Sequence, residues 1–153
     1  MAKPEDTMIL ETTKGNVVIE MRPDLAPGHV ARIKELVRDG FYDGIVFHRV
    51  IDGFMAQTGC PQGTGMGGSG KKLKAEFNKE PHVRGTASMA RAANPDSGDS
   101  QFFICFDDAT FLDRQYTVWG EVVEGMDLID ALPKGEPPRE PGKIVSMRVA
   151  ADA

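Results

Sequence analysis

The first part of the chain changes from one hydrophobic period to another. Apolar and polar residues alternate over residues 8–13 and 16–21, on either side of Lys14 and Gly15. Alternation with a period of two places apolar side chains on one face of a strand, and a glycine between two such runs favours a tight turn. This pattern predicts a β-hairpin near the start of the chain.

Residues 28–39 follow a different pattern, which is that of an amphipathic helix. Their apolar side chains recur at helical spacing, whereas the charged side chains fall mostly between them. Gly40 follows directly, and glycine commonly ends a helix because it tolerates a left-handed backbone. The apolar face of this predicted helix consists of Val30, Ile33, Leu36 and Val37.

The rest of the chain consists mainly of short runs that are typical of strands. Many short strands without regular strand–helix alternation favour an antiparallel β architecture. A barrel is preferred because closure removes exposed sheet edges, although periodicity alone leaves a sandwich open. Without an internal repeat or a linker, residues 1–153 are interpreted as one domain. The further predicted strands are 45–51, 54–58, 87–90, 101–106, 116–123 and 143–149, and a second short helix is predicted over 125–132.

Composition and charge narrow the classes of partner. The formal net charge is −5 and the isoelectric point is about 5.2, whereas nucleic acids and anionic membranes bind basic surfaces. No apolar run approaches the roughly 20 residues that span a bilayer, and the first residues lack the apolar segment of a signal peptide. We therefore expect a cytoplasmic protein with no nucleic-acid or membrane partner, and nothing in the sequence demands more than a monomer.

The cysteines and histidines do not form a recognisable metal or redox motif. Cys105 lies in an apolar run and Cys60 in a glycine-rich segment, and a cytoplasmic location disfavours a disulfide between them. His29, His48 and His82 share no spacing that is typical of zinc ligands. The sequence therefore predicts neither a bound metal nor a cofactor.

Residues 59–70 are rich in glycine and resemble a phosphate-binding loop. In such a loop the lysine is followed by a Ser or Thr that binds magnesium, and a helix comes next. Here Lys71 is followed by Lys72, and Pro81 comes too soon for a long helix. The segment is therefore interpreted as a long turn that uses several glycine conformations, with nucleotide binding as a minor alternative.

The apolar run over residues 101–106 is unusual because both of its faces are apolar. On a strand, Phe103 and Cys105 point to one side with Gln101, whereas Phe102 and Ile104 point to the other. Such a strand lies either within a thick core or in a wall between the core and a second apolar space. The run alone favours a thick core.

Several longer motifs resemble the cyclophilins, the cyclosporin-binding class of peptidyl-prolyl isomerase. These motifs are FHRVIDGFMAQTG, GTASMARAANPDSGDSQFFI, FLD and YTVWGEVVEGMDLID. The resemblance extends from the first predicted hairpin to the last predicted strand, and the short chain looks like the compact bacterial members. It implies a closed eight-stranded antiparallel β-barrel capped by two α-helices, with the active site on the outer surface.

The resemblance also implies roles for individual residues. Arg49 and Gln57 would form the catalytic pair, in which Arg49 is the catalytic arginine and Gln57 contacts the substrate backbone. The implied substrate-binding residues are Phe54, Met55, Phe103 and Leu112 in a proline pocket, with Ala90, Arg91 and Gln101 in the neighbouring groove.

Three positions in this implied site depart from the better-known eukaryotic members. Phe111 stands in place of a tryptophan, Tyr116 in place of a histidine and Arg91 in place of an asparagine. Phe111 and Tyr116 are still expected to contact the substrate. Because phenylalanine lacks the directional N–H donor of an indole, we expect a cyclosporin-like ligand to bind weakly.

An arginine beside an apolar pocket suits rotation about an Xaa-Pro bond. The barrier of about 18–20 kcal/mol arises from lost amide resonance, and a donor aimed at the proline nitrogen stabilises the twisted state more than the planar one. Arginine stays charged at any working pH. The expected partners are proline-containing peptides and unfolded or folding proteins. The main rival is a peptide-binding module without catalysis, which would not require Arg49.

Overall fold

The computed structural model describes residues 3–152, which form a mainly β protein with two α-helices. The predicted strands and helices are present, although most of their ends shift by one or two residues. The helices are α1 (Pro27–Arg38) and α2 (Met126–Asp130), and single 3₁₀ turns lie at Pro4–Asp6, Thr110–Leu112 and Ala150–Asp152. The strands are β1 (Thr7–Thr12), β2 (Gly15–Met21), β3 (Arg49–Ile51), β4 (Met55–Thr58), β5 (Thr86–Met89), β6 (Phe102–Cys105), β7 (Val118–Glu124) and β8 (Ile144–Val149).

The eight strands of this part of the chain belong to one antiparallel sheet, in the order β3-β4-β6-β5-β7-β2-β1-β8. The predicted β1–β2 hairpin is present and pairs Thr7 with Glu20. Its turn is Thr13–Lys14, because Gly15, which was predicted to lie in the turn, pairs with Thr12 in the ladder. The register shifts once in each of the β1–β8, β2–β7 and β5–β7 pairs. Such irregularities increase the local twist and help an antiparallel sheet to curl.

The curled sheet stays open, so the prediction of a closed barrel is wrong. Within residues 3–152, no continuous ladder joins the two edge strands, β3 and β8. Isolated bridges cross the opening instead, between Val46 and Lys143 and between Val50 and Gly135. The architecture is therefore a curled half-barrel with two helices.

The segment between α2 and β8 faces the opening, and its composition explains why the barrel does not close. Pro137, Pro138 and Pro141 lie in this segment, and proline has no backbone N–H to donate to a ladder. The predicted strand 45–51 lacks a regular partner there and is reduced to Arg49–Ile51.

Helix α1 forms as its sequence predicts and buries its apolar face. Pro27 occupies the first turn, where the missing N–H has no helical partner to lose. Gly40 follows the helix with a φ of +73°, which is a left-handed conformation that favours glycine. The buried face includes Val30, Ile33 and Leu36, and α1 packs against β8. Neither helix of the described chain is long and apolar enough to cross a membrane.

Candidate functional site

Strand β6 is a wall between two apolar clusters. Phe102 and Ile104 point into the main core, whereas Phe103 and Cys105 point into a smaller cluster on the opposite face. The interpretation as a strand within one thick core is therefore wrong, and the alternative of a two-sided wall describes the molecule. The smaller cluster also contains Met55 and Ala109, with Ile51, Phe54, Ala90, Leu112 and Tyr116 packed against it.

A cavity of about 130 Å³ opens on this outer cluster. Nine of the eleven residues implied as site residues line it. Gln101 lies outside this lining but lines a neighbouring cavity of about 270 Å³. Phe111 lines neither cavity. This residue is 66% exposed, and the centroid of its ring lies 5.7 Å from the centroid of the Phe54 ring. The nine lining residues are Arg49, Phe54, Met55, Gln57, Ala90, Arg91, Phe103, Leu112 and Tyr116.

The register of three strands explains why distant residues meet at this cavity. Arg49 on β3 pairs with Gln57 on β4, and Gln57 pairs with Phe103 on β6. Directly paired residues project to the same face of a sheet. The arginine, the amide and the aromatic ring therefore form one row across the outer face. The neighbouring residues, Val50 on β3 and Ala56 on β4, point to the opposite face and into the main core.

The guanidinium of Arg49 is held by two side-chain acceptors. Its Nε donates to Glu136 Oε1 at 2.8 Å, and Nη1 donates to Gln57 Oε1 at 3.4 Å. Glu136 is brought there because Gly135, its neighbour, exchanges two backbone hydrogen bonds of 2.8 Å with Val50. Within residues 3–152, Nη2 makes no hydrogen bond, so this end of the cation remains available to a ligand.

A chain of side-chain amides extends from Arg49 to the glycine-rich loop. Gln57 Nε2 donates to Gln101 Oε1 at 2.9 Å. Gln101 Nε2 in turn donates to the carbonyl oxygens of Gly65 and Gly67, both at 2.9 Å. Because Gln101 gives both of its N–H groups to carbonyls, the orientation of its amide follows from chemistry. The chain couples the cation to a loop that lies next to it in space.

The glycine-rich loop is a turn that wraps the thiol of Cys60. No helix follows it before β5 in the described chain, so it lacks the context of a phosphate-binding loop. The backbone N–H groups of Gly65 and Gly67 donate to Cys60 Sγ at 3.3 and 3.2 Å. Burial opposes ionisation of this thiol, but the backbone donors outweigh it and lower its pKa to about 7. Gly65 has a φ of +86°, which favours glycine at this turn.

The two cysteines differ in environment although both are buried and free. Cys105 lies in the apolar cluster behind the cavity, where burial raises its pKa to about 12. Residues 3–152 contain no group of three or more His, Cys, Asp or Glu side chains that could hold a metal ion.

A buried polar network behind the cavity was not predicted from the sequence. His82 stacks on Phe103 with 6.1 Å between ring centroids. Its Nδ1 lies 3.0 Å from Asp113 Oδ1, and its Nε2 lies 2.9 Å from Ser88 Oγ. Burial lowers the pKa of His82, and the neutral ring donates Nδ1–H to the carboxylate of Asp113. The backbone N–H of His82 donates to Asp113 Oδ1 at 2.7 Å, and this hydrogen bond is the main cause that lowers the pKa of Asp113 below its usual range.

This network has the order of a serine hydrolase triad but not its accessibility. Ser88 and His82 are both fully buried, and the Ser88 hydroxyl is also within hydrogen-bond distance of the Thr117 carbonyl, at 3.0 Å. A nucleophile must reach its substrate. The network therefore supports the rear wall of the cavity, and Glu136 and His82 are the polar residues of this site that sequence analysis missed.

Comparison with known proteins agrees with the resemblance of the motifs. Residues 7–149 match the family model described as "Cyclophilin type peptidyl-prolyl cis-trans isomerase/CLD". A probable peptidyl-prolyl cis-trans isomerase of Brucella suis is 52% identical over 168 residues, which cover 99% of this chain and 86% of that protein. Peptidyl-prolyl cis-trans isomerase B of Bacillus subtilis is 43% identical over 129 residues, which cover 82% of this chain and 90% of that protein.

Solved structures show the same relationship. Cyclophilin AquaCyp293 from Hirschia baltica superposes with a TM-score of 0.92 at 35% identity, covering 99% of this chain and 76% of that chain. A cyclophilin type isomerase of Cryptosporidium parvum, solved in the presence of the dipeptide Ala-Pro, has a TM-score of 0.87 at 27% identity, with 94% and 98% covered. The chain therefore belongs to the cyclophilin-type peptidyl-prolyl cis-trans isomerases. Its class of activity is rotation about Xaa-Pro peptide bonds.

Proposed function

We propose that Arg49 and the 130 Å³ cavity together catalyse Xaa-Pro rotation without a covalent intermediate. The proline ring enters the apolar cavity, and the guanidinium donates to the proline nitrogen as the C–N bond twists. The observation that carries the proposal is the placement of the Arg49 guanidinium, which is fixed by Glu136 and Gln57, beside a cavity that opens on the outer apolar cluster. Gln57, which lines the same cavity, holds the substrate backbone while the bond rotates.

Magnitudes support a division of work between the cation and the cavity. A hydrogen bond to a charged group contributes roughly 1.5–3 kcal/mol, and each tenfold in rate requires about 1.4 kcal/mol. The arginine therefore accounts for about one to two decades. The apolar walls supply more, because they exclude water from the twisting amide and strengthen the field of the arginine there.

The proposed substrates are proline-containing segments of peptides and of unfolded or folding proteins. The Cryptosporidium relative was solved in the presence of Ala-Pro, which supports a dipeptide-sized proline ligand here. A cavity of about 130 Å³ suits a single small ring. We propose that the protein acts as a monomer in the cytoplasm. A cyclosporin-like ligand binds weakly, because Phe111 offers no N–H donor.

The cis-to-trans relaxation rate of a short Xaa-Pro peptide tests this function. We expect wild type to accelerate the relaxation and Arg49→Ala to lose about ten- to a hundredfold of kcat/KM. Arg148, which is exposed on β8 and lines neither cavity, provides a matched control. Arg148→Ala should retain the wild-type rate.

The same experiment separates an isomerase from a peptide-binding module. A folded Arg49→Ala variant with near-normal turnover would contradict the role of the cation. A wild type that binds the peptide but leaves its relaxation unchanged would favour the binding module.

A further inference from the structure

Arg91 differs from Arg49 because its donors go to backbone carbonyls and not to a carboxylate. Nε and Nη2 donate to the carbonyl of Gln115 at 2.9 and 2.7 Å, and Nη1 donates to the carbonyls of Ala92 and Ala93 at 2.9 and 3.3 Å. The ion pairs found among residues 3–152 do not include this arginine. A planar fork of donors can hold two backbone segments in one relative position.

The same guanidinium lies over an aromatic wall of the cavity. Its Cζ is 4.6 Å from the centroid of the Tyr116 ring, which is the geometry of a cation–π contact. Tyr116 in turn meets Phe103 edge-on, with 5.7 Å between centroids and 82° between ring planes. Tyr116 and Phe103 both line the 130 Å³ cavity, whereas Arg91 lines both this cavity and the 270 Å³ cavity beside it.

The segment that carries Tyr116 needs such support. Asp113 at its start accepts the backbone N–H of His82 at 2.7 Å, and Arg91 holds Gln115 near its end. Between these anchors, Arg114 has a φ of +63°. This conformation is uncommon for a residue with a side chain and persists where the surroundings fix it.

We propose that Arg91 is a positioning residue that sets the shape of the proline pocket before substrate arrives. Its guanidinium ties the Gln115 carbonyl to the Arg91–Ala93 segment and holds the Tyr116 ring against Phe103. Because Arg91 lines both cavities, it thereby keeps their common boundary in place. The inference rests on the proposed function only in taking a proline peptide as the ligand.

Two substitutions of Arg91 separate positioning from simple charge. Arg91→Ala should lower kcat/KM by roughly three- to tenfold, because both the cation–π contact and the carbonyl fork are lost. Arg91→Lys keeps the charge but not the planar fork, so it should recover little of the rate. Arg148→Ala removes one positive charge outside both cavities and should keep the wild-type rate. Full recovery in Arg91→Lys would overturn the positioning role.

A double-mutant cycle with Tyr116→Ala shows whether Arg91 acts through the ring. If it does, removing Arg91 costs little more once Tyr116 is gone, and the two losses are strongly non-additive. Additive losses would mean that Arg91 acts on the substrate directly, and they would overturn the inference.

The ring contact itself can be followed without any turnover. We expect nuclear Overhauser contacts between the Tyr116 and Phe103 rings in the ligand-free wild type, and weaker ones in Arg91→Ala. Arg91→Lys serves the same comparison if Arg91→Ala does not fold. Unchanged contacts between the two rings in a folded variant would overturn the positioning role of Arg91. A wild type without isomerase activity would contradict only the proposed function, because this readout does not depend on it.

Discussion

The two faces of β6 differ in what completes the apolar cluster, and not in how deeply the strand itself is buried. Phe102 and Ile104 on the inner face are fully buried, and Phe103 on the outer face is only 5% exposed. The inner cluster is sealed by the rest of the sheet and by α1. The outer cluster ends at partly exposed side chains, such as Leu112, and at the polar side chains of Arg49 and Gln57. Burial of a strand residue therefore does not distinguish core from site.

Substitution of two neighbouring residues tests this contrast and has the largest expected effect. Phe102 packs edge-on against Trp119 and Tyr42, at 5.3 and 5.6 Å between centroids, so Phe102→Ala should lower the free energy of unfolding by about 3–5 kcal/mol. Phe103→Ala should cost less stability, about 1–3 kcal/mol, but more than tenfold in kcat/KM, because it removes a wall of the cavity. Urea denaturation and the peptide relaxation assay measure the two quantities. Equal stability losses with equal activities would remove the distinction between the faces.

Substitution of Glu136 has a smaller expected effect and tests the outer face of β6 at its ion pair with Arg49. Its ion pair with Arg49 is largely exposed, at 43% and 56% of the two side chains, and such pairs contribute about 0.2–1 kcal/mol. Glu136→Ala should therefore lower kcat/KM by about two- to fivefold. Glu136→Gln retains an acceptor oxygen and should lose less than about twofold. Equal losses in the two variants would show that charge, and not orientation of Arg49, is what Glu136 supplies.

The smallest expected effect is the pH dependence of stability that His82, which stacks on Phe103 of β6, contributes. Burial lowers the pKa of His82 from its ordinary value of 6.5, so below pH 6.5 the unfolded chain binds a proton that the folded chain resists. The free energy of unfolding should therefore decrease as the pH falls below about 6.5. In His82→Gln the decrease in melting temperature between pH 7 and pH 5 should be shallower.

His48 remains in that variant as an internal comparison. Its pKa is also lowered, by burial and then by Arg49, so part of the pH dependence should survive. An identical pH profile in wild type and His82→Gln would contradict the assignment to His82.

Local periodicity was sufficient to predict most of the strands and both helices, but not the row of residues on the outer face. The spacing of Phe102 and Phe103 fixes their opposite directions on any strand. The motif around Arg49 and Gln57 carries its own turn, so the pairing of these residues is local. The resemblance to a family added the roles of these residues, which periodicity does not contain.

Long-range contacts could not be predicted in this way. Glu136 lies 87 positions from Arg49 along the chain, and Asp113 lies 31 positions from His82. Charged residues on loops are mostly solvated, so neither carboxylate differed from its neighbours in the sequence. The open edge between β3 and β8 depends on which segment comes to face β3, and this is a property of the folded chain.

The two carbonyl groups of Gly65 and Gly67 that accept the Gln101 amide determine the sign of a dipole at Arg49. Because both N–H groups of Gln101 point to the loop, its oxygen points to Gln57, whose own oxygen then points to the cation. Donors and acceptors alternate in one direction from the loop to the guanidinium. If the loop turned these carbonyls away, both amides could invert, and Arg49 would meet an N–H group in place of an oxygen. The direction of the amide dipoles that face Arg49 is thus set by a turn that lines the neighbouring cavity and not the cavity beside Arg49.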